Sequence, residues 1–360
     1  MNLRGLGLVV LVFLVAWWLT GRLCSPSFWL YTLDRPNERS LHITPTPRTG
    51  GLAVLGSLIV GLLLGLILEG PEAYIAGTRV GGEAKRSLWL VGLALFLSAF
   101  SFWDDRKGLS PLVRFGTHAV VAGGLVWGTG LMIDTIPIPL AGTLSLGWIA
   151  APFTMLSLMW MTNLYNFMDG MDGFAGGMAV VGYGFLGYIA WTVDDQPLAM
   201  FSLLIAGSSG GFLLYNKPPA RIFMGDVGSI PLGFLAGGLA VMGIRNGRFD
   251  IWVPMLIFSP FIVDATVTLF RRLLRGEKVW QAHREHYYQR LALAGWGHRK
   301  AVLAEYAVMG VCGISAILYM KANEEWRLIL LMGWSVMYCL LAYGVRSIEQ
   351  HHKGQLRGQG

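Results

Sequence analysis

The 360-residue chain carries 28 Lys and Arg against 21 Asp and Glu, a formal net charge of +7, yet only 14% of its residues are charged and 54% are hydrophobic. A water-facing domain carries about 25% charged residues, so this chain is too poor in charge for a soluble enzyme, a nucleic-acid module or a disordered segment. Cys24, Cys312 and Cys339 are too few and too scattered for a disulfide framework or a zinc site.

In chain order, apolar stretches lie near residues 5–21, 50–69, 87–103, 114–133, 146–164, 174–193, 198–215, 229–244, 251–270, 302–320 and 327–345. Each approaches the roughly 20 residues that a helix needs to cross a bilayer. They predict an all-α, polytopic integral membrane protein with about 11 transmembrane helices. Residues 1–345 form one transmembrane catalytic domain in this reading, and 346–360 a polar cytoplasmic tail. The first stretch is read as a true span, because Gly21-Arg22-Leu23-Cys24 offers no small-x-small cleavage site. With the N-terminus outside, 20 of the 28 Lys and Arg fall on inner segments. Excess cations accumulate on the cytoplasmic side, so the C-terminus is expected to be cytoplasmic.

The outer loops are bland: Thr135-Ile136-Pro137-Ile138-Pro139 and Asp194-Asp195-Gln196-Pro197 read as turns. The inner loops gather the carboxylates, amides and imidazoles. A secondary transporter more typically places ionisable groups near mid-membrane, so this sidedness reads as an enzyme with an interfacial site. The transporter is the main alternative of another class, with Asp264 inside the ninth span as its best support. A pairing of Asp264 with Arg271 is the bland explanation of that residue.

Asp104 and Asp105 close the third span. Adjacent carboxylates there repel, and a divalent cation removes the penalty; Mg²⁺ suits carboxylate oxygens and shares its shell with substrate phosphates. A solvated helix end balanced by Arg106 and Lys107 is the other reading. Asn163, Asn166, Asp169 and Asp172 end the fifth span at spacings of three, with Gly170 and Gly173 opposing a regular helix. We read a helix end opening into a tight loop whose polar groups converge on a ligand. Asn216 and Phe223 precede Asp226, which stands between Gly225 and a helix start at Ser229 that favours phosphate. Phe223 is either a membrane anchor or a platform for a base. His283, Arg284 and His286 lie in the most basic inner loop and suit a diphosphate or an anionic lipid surface.

Together these residues resemble the polyprenyl-phosphate N-acetylhexosamine-1-phosphate transferases, bacterial glycosyltransferase family 4. The likeness is carried by Pro36-Asn37-Glu38-Arg39, Pro45-Thr46-Pro47-Arg48-Thr49-Gly50-Gly51, the Asp104-Asp105 loop, the Asn163–Gly173 run, Phe223-Met224-Gly225-Asp226-Val227-Gly228-Ser229 and the His283/His286 loop. The resemblance implies an inner-membrane enzyme that takes a UDP-N-acetylated amino sugar and undecaprenyl phosphate, uses Mg²⁺ and releases UMP. Mn²⁺ is open as a substitute, as is a homodimer. It implies Asp226 and Asp105 as metal ligands and Asp104, Asp105 and Asp226 as catalytic carboxylates. It places Asn166, Asp169, Asp172, Asn216 and Phe223 on the nucleoside side, and His283, Arg284 and His286 toward the diphosphate or sugar. Arg48 and Asn163 complete the expected substrate-binding set. The last loop reads His-Arg-Glu-His rather than a run of histidines. It is more similar to the O-antigen-initiating branch than to the muramyl-pentapeptide transferases, which are kept as the alternative. A CDP-alcohol phosphotransferase is disfavoured, because Phe174-Ala175-Gly176 follows Gly173 and no D-G-x-x-A-R pattern appears.

Overall fold

A computed structural model describes residues 3–34, 36, 41, 44–68, 83–278 and 283–357. Asn37, Glu38 and Arg39 of the first motif, and Trp280 to Ala282 of the last loop, lie outside the described residues. The helices are α1 (Leu3–Leu23), α2 (Gly50–Leu68), α3 (Glu83–Lys107), α4 (Pro111–Thr129), α5 (Ala150–Phe167), α6 (Phe174–Thr192), α7 (Gln196–Asn216), α8 (Asp226–Arg245), α9 (Trp252–Ile257), α10 (Ser259–Leu274), α11 (Tyr287–Leu291), α12 (Gly297–Lys321) and α13 (Glu324–Arg357). Two small antiparallel pairs complete it: β1 (Leu33–Asp34) with β2 (Thr46–Pro47), and β3 (Thr135–Ile138) with β4 (Gly142–Ser145).

Among the described residues, eight helical stretches are long and apolar enough to cross a membrane: 3–23, 50–68, 85–107, 174–192, 196–216, 226–245, 287–321 and 324–355. The chain is therefore an all-α, multi-pass membrane protein. The stretches expected near 114–133 and 146–164 form the helices α4 and α5, which are not among these eight; Arg114, His118, Asn163 and Asn166 dilute their apolar character. The expected span near 251–270 is two helices, α9 and α10, broken at Phe258. Pro260 stands in the first turn of α10, where its missing N–H costs nothing and its ring resists continuation from the preceding helix. Of residues 135–139, read from sequence as a turn, Thr135–Ile138 are instead the first arm of a hairpin in register Thr135↔Ser145 to Ile138↔Gly142, and Pro139 begins its turn. Helix α13 runs on through the tail residues to Arg357.

Helix α8 is the axis of the bundle. Every residue from Val227 to Gly243 is buried, and α3, α5 and α2 pack against it. A helix that is apolar all round belongs in the interior, and small residues let membrane helices approach closely. Gly51 and Gly228 show this: a Cβ on Gly51 would lie 2.3 Å from the Gly228 Cα. Alternate helix ends meet at the same end of the bundle. That end collects the C-termini of α3, α5 and α7 and the N-termini of α2, α4, α6, α8 and α12, and the candidate site forms there.

Candidate active site

The loop before α2 and the loop before α8 are sewn together by backbone. Phe223 N–H donates to Pro47 O (2.7 Å), Gly50 N–H to Phe223 O (3.0 Å) and Gly51 N–H to Met224 O (2.8 Å). These bonds satisfy the first donors of α2, which have no partner within the helix. Gly225 has φ +71°, and a Cβ there would meet Arg48 O at 2.2 Å. The glycine thus lets the Arg48 and Asp226 segments touch. The β1–β2 pair, joining Asp34 to Thr46, brings Asp34 to the same place.

The result is a cavity of about 250 Å³. Drug-sized ligands occupy about 300–1,000 Å³, so this space suits the polar centre of a large substrate. Of the residues expected from sequence, Arg48, Asp105, Asn166, Asp169, Asp172, Asn216, Phe223 and Asp226 line it. Arg48 Nη1 lies 3.4 Å from Asp105 Oδ1, and its Nη2 donates to Asp105 O (3.0 Å). Asn166 Nδ2 donates to Asp226 Oδ1 (2.8 Å) and Ser229 Oγ (3.0 Å). Asp226 repels Asp105 and Asp169. Burial pushes the Asp169 carboxyl well above the usual range, the charge of Asp226 adds to the rise, and the Gly225 N–H bonded to Asp169 opposes it.

The carboxylates fall into two kinds. Asp105, Asp169 and Asp226 line the cavity, and Asp105 and Asp169 each feel the charge of Asp226. Asp104 and Asp172 have both oxygens committed to protein. Asp104 is 3% exposed; Oδ1 accepts from Leu109 N–H (2.7 Å) and Oδ2 pairs with Arg114 Nε (2.6 Å). Asp172 Oδ2 accepts from Ala220 N–H (2.9 Å), and Oδ1 lies 3.1 Å from His298 Nδ1. Asn216 is similarly engaged, accepting from Gly173 N–H (3.0 Å) and donating to Ile222 O (2.9 Å).

Asp104, Asn163, His283, Arg284 and His286 lie outside the lining of the cavity. Asn163 donates to Met159 O (2.6 Å) and is bonded to buried His118. His286 is buried, with Nδ1 3.2 Å from Asp264 Oδ1. Asp264 also accepts from Tyr287 N–H (3.0 Å), Tyr288 N–H (3.2 Å) and Thr268 Oγ1 (3.1 Å). It thus caps α11, whereas Arg271 goes to Glu285 rather than to Asp264. Burial, then His286 and Arg272, bring the His283 imidazole down to about 4, so the ring is neutral near pH 7. Burial raises the Glu285 carboxyl, but the Arg275 hydrogen bond and the charges of Arg275, Arg271 and Arg272 outweigh it and hold the group below its ordinary value.

Sequence reasoning missed Asp34, Gln289 and His298 in the lining. His298 carried a signal, as an ionisable group at a helix start in the most basic loop. Asp34 and Gln289 carried none, because only the β1–β2 pairing and the α11 turn bring them in.

Among the described residues, no group of three His, Cys, Asp or Glu is arranged to hold a metal ion by itself. Mg²⁺ commonly takes one or two carboxylates and completes its shell with water and substrate phosphates. Asp105, Asp169 and Asp226 line one cavity, and such a set of carboxylates fits Mg²⁺ as oxygen donors.

An apolar helical bundle with an acidic cavity where its spans end defines a multi-pass membrane enzyme. Comparison with known proteins narrows the class. Glycosyl transferase family 4 matches residues 87–244. The chain is 33% identical over 294 residues to the probable undecaprenyl-phosphate N-acetylglucosaminyl 1-phosphate transferase of Bacillus subtilis (strain 168), covering 81% of this chain and 78% of that relative. It is 28% identical over 339 residues to the decaprenyl-phosphate N-acetylglucosaminephosphotransferase of Mycobacterium tuberculosis (strain ATCC 25618 / H37Rv), covering 87% and 82%. It is also 28% identical over 289 residues to the phospho-N-acetylmuramoyl-pentapeptide-transferase of Listeria welshimeri, covering 74% and 83%. The chain belongs to the polyprenyl-phosphate N-acetylhexosamine-1-phosphate transferases of glycosyl transferase family 4 and is a phosphotransferase.

Proposed function

We propose that this enzyme transfers an N-acetylated amino-sugar 1-phosphate from a UDP-sugar to undecaprenyl phosphate and releases UMP. The lipid diphosphate-linked sugar then initiates O-antigen or another surface polysaccharide. The observation that carries this reading is the grouping of Asp105, Asp169, Asp226 and Arg48 around one cavity at the end of an apolar bundle. The names of the Bacillus and Mycobacterium relatives support GlcNAc as the first sugar to test, and the Bacillus name supports undecaprenyl phosphate. With eleven spans in a bacterial inner membrane, the bias of 20 of 28 Lys and Arg to one side supports the N-terminus outside, the C-terminus cytoplasmic and the site on the cytoplasmic face.

The chemistry is a single in-line displacement at the sugar-bearing phosphorus. The lipid phosphate oxygen attacks, its new P–O bond forms, and the bond to UMP breaks with the electron pair leaving on UMP. A phosphate monoester has a second pKa of about 6, so the acceptor needs no strong base at neutral pH. The obstacle is the approach of two anions, and the protein answers with charge and positioning. Mg²⁺, or Mn²⁺ in its place, held by Asp226 and Asp105, would neutralise charge at the diphosphate. Arg48, steadied by Asp105, offers its guanidinium to phosphate oxygens. Asn166 fixes the Asp226 carboxylate. Phe223 presents an aromatic face to the nucleoside base. The prenyl chain lies along the apolar helix faces, where each buried CH₂ contributes about 0.8 kcal/mol, so the enzyme has only to capture a head group.

Incubating purified protein with undecaprenyl phosphate and a panel of radiolabelled UDP-sugars tests the proposal. It expects a labelled lipid diphosphate from UDP-GlcNAc or another UDP-amino sugar. Label transfer from UDP-N-acetylmuramoyl-pentapeptide alone would move the protein to the muramyl branch, and no transfer from any donor would refute the reading.

A further inference from the structure

One wall of the cavity is a single hydrogen-bonded unit. Asp172 takes the Ala220 N–H on Oδ2 and meets His298 Nδ1 on Oδ1. Helix α12, which carries His298, is pinned to the same loop by Tyr306 Oη donating to Gly173 O at 2.6 Å. Asn216 ties Gly173 to Ile222, and the next residue, Phe223, lines the cavity beside them. His298 thus lines the same cavity as the Phe223 ring and is joined to it through Asp172, Gly173 and Asn216. When Asp172 accepts from Nδ1–H, the neutral ring presents Nε2 as a hydrogen-bond acceptor. Its side chain is 22% exposed and lines the cavity.

We infer that His298 contacts the nucleoside half of the nucleotide-sugar donor, accepting a hydrogen bond from an N–H or O–H of the base or ribose, with Asp172 as the positioning residue that sets its tautomer. The inference rests on the donor being a uridine nucleotide, as proposed above. A ring fixed at Nδ1 by a carboxylate presents its other nitrogen in one direction, the arrangement that orients imidazoles elsewhere. The lipid acceptor carries no base or ribose, so the contact discriminates between the two substrates.

The test measures UMP binding by calorimetry, and KM for each substrate, with wild type, H298A, H298Q and D172N. H298A should weaken UMP binding and raise the donor KM at least about tenfold, the effect of one lost hydrogen bond to a buried polar partner. The KM for undecaprenyl phosphate should stay within twofold of wild type. H298Q, which keeps an acceptor, should recover part of the loss. D172N should weaken UMP binding in the same direction, and H298A combined with D172N should lose no more than H298A alone. Unchanged UMP affinity in folded H298A or H298Q would overturn the inference, as would an equal rise in both KM values. If wild type itself bound no UMP, the donor assignment would fall; if wild type bound UMP and H298A bound it equally, only the role of His298 would fall.

Discussion

Arg114 is held between two carboxylates of opposite duty: its Nε lies 2.6 Å from Oδ2 of buried Asp104, and its Nη1 reaches to 3.9 Å from Oδ2 of Asp226 at the cavity. Adjacent acids in the chain therefore do different work. Asp104 faces inward and aims a guanidinium at the site, while Asp105 faces the cavity with Arg48.

That division predicts distinct phenotypes for the pair. D105N should raise the Mg²⁺ concentration needed for half-maximal activity. D104N should lower turnover with little change in that concentration, because it releases Arg114 rather than a metal oxygen. Asp104 is buried while Arg114 is 41% exposed, so solvent screens part of the pair; D104N should still lower the melting temperature in detergent, and D104N with R114M should recover part of that stability. Identical Mg²⁺ titrations for D104N and D105N would contradict the assignment.

Chelation should silence the enzyme. EDTA is expected to stop label transfer, and excess Mg²⁺ or Mn²⁺ to restore it, because the carboxylates otherwise repel the donor diphosphate. Full activity in chelator would remove the metal from the account.

Gly225 should tolerate no side chain. Its φ of +71° and ψ of 168° fall where L-residues are strained by about 1–3 kcal/mol, and Arg48 O occupies the space of a Cβ. G225A should destabilise the protein and depress activity together, read as a lower melting temperature and a slower rate. A G225A protein with wild-type melting and turnover would show that the two loops can part without loss.

The lowered proton affinity of His283 gives a pH signature. In the unfolded chain the ring takes a proton below about pH 6.5; in the folded protein it does so only near 4. Between these values the unfolded state binds more protons, so stability falls as the pH drops from 6.5 to 4 and is unaffected by this group above 6.5. H283Q should flatten that part of the melting-temperature profile. Parallel profiles for H283Q and wild type would place the ring in a solvated setting.

Much of this site was legible because its chemistry is local in sequence. The Asx residues at 166, 169 and 172 and the Gly225-Asp226 pair sit at helix ends, where polarity amid apolar residues stands out. What sequence could not give was the direction of each side chain. Asp104 and Asp105 are indistinguishable as letters, and one helical step of about 100° sends one inward and the other to the cavity. His283, His286 and Asp264 stand out by type, yet they lie outside the cavity lining, and Asp264 caps α11. The fold was legible where hydropathy was uniform. It was harder to read at α9 and α10, where Pro260 divides one apolar run, and at the β3–β4 hairpin, where Pro137 lies within a strand only two residues before Pro139 of the turn.

The claim beneath all of this is that Asp226 acts at the phosphates. Release of UMP by purified D226N, assayed with undecaprenyl phosphate, Mg²⁺ and the UDP-sugar used by wild type, tests it most directly. The account predicts a loss of roughly 10²-fold or more in a protein that still melts as wild type does; near-normal UMP release by that variant would contradict it.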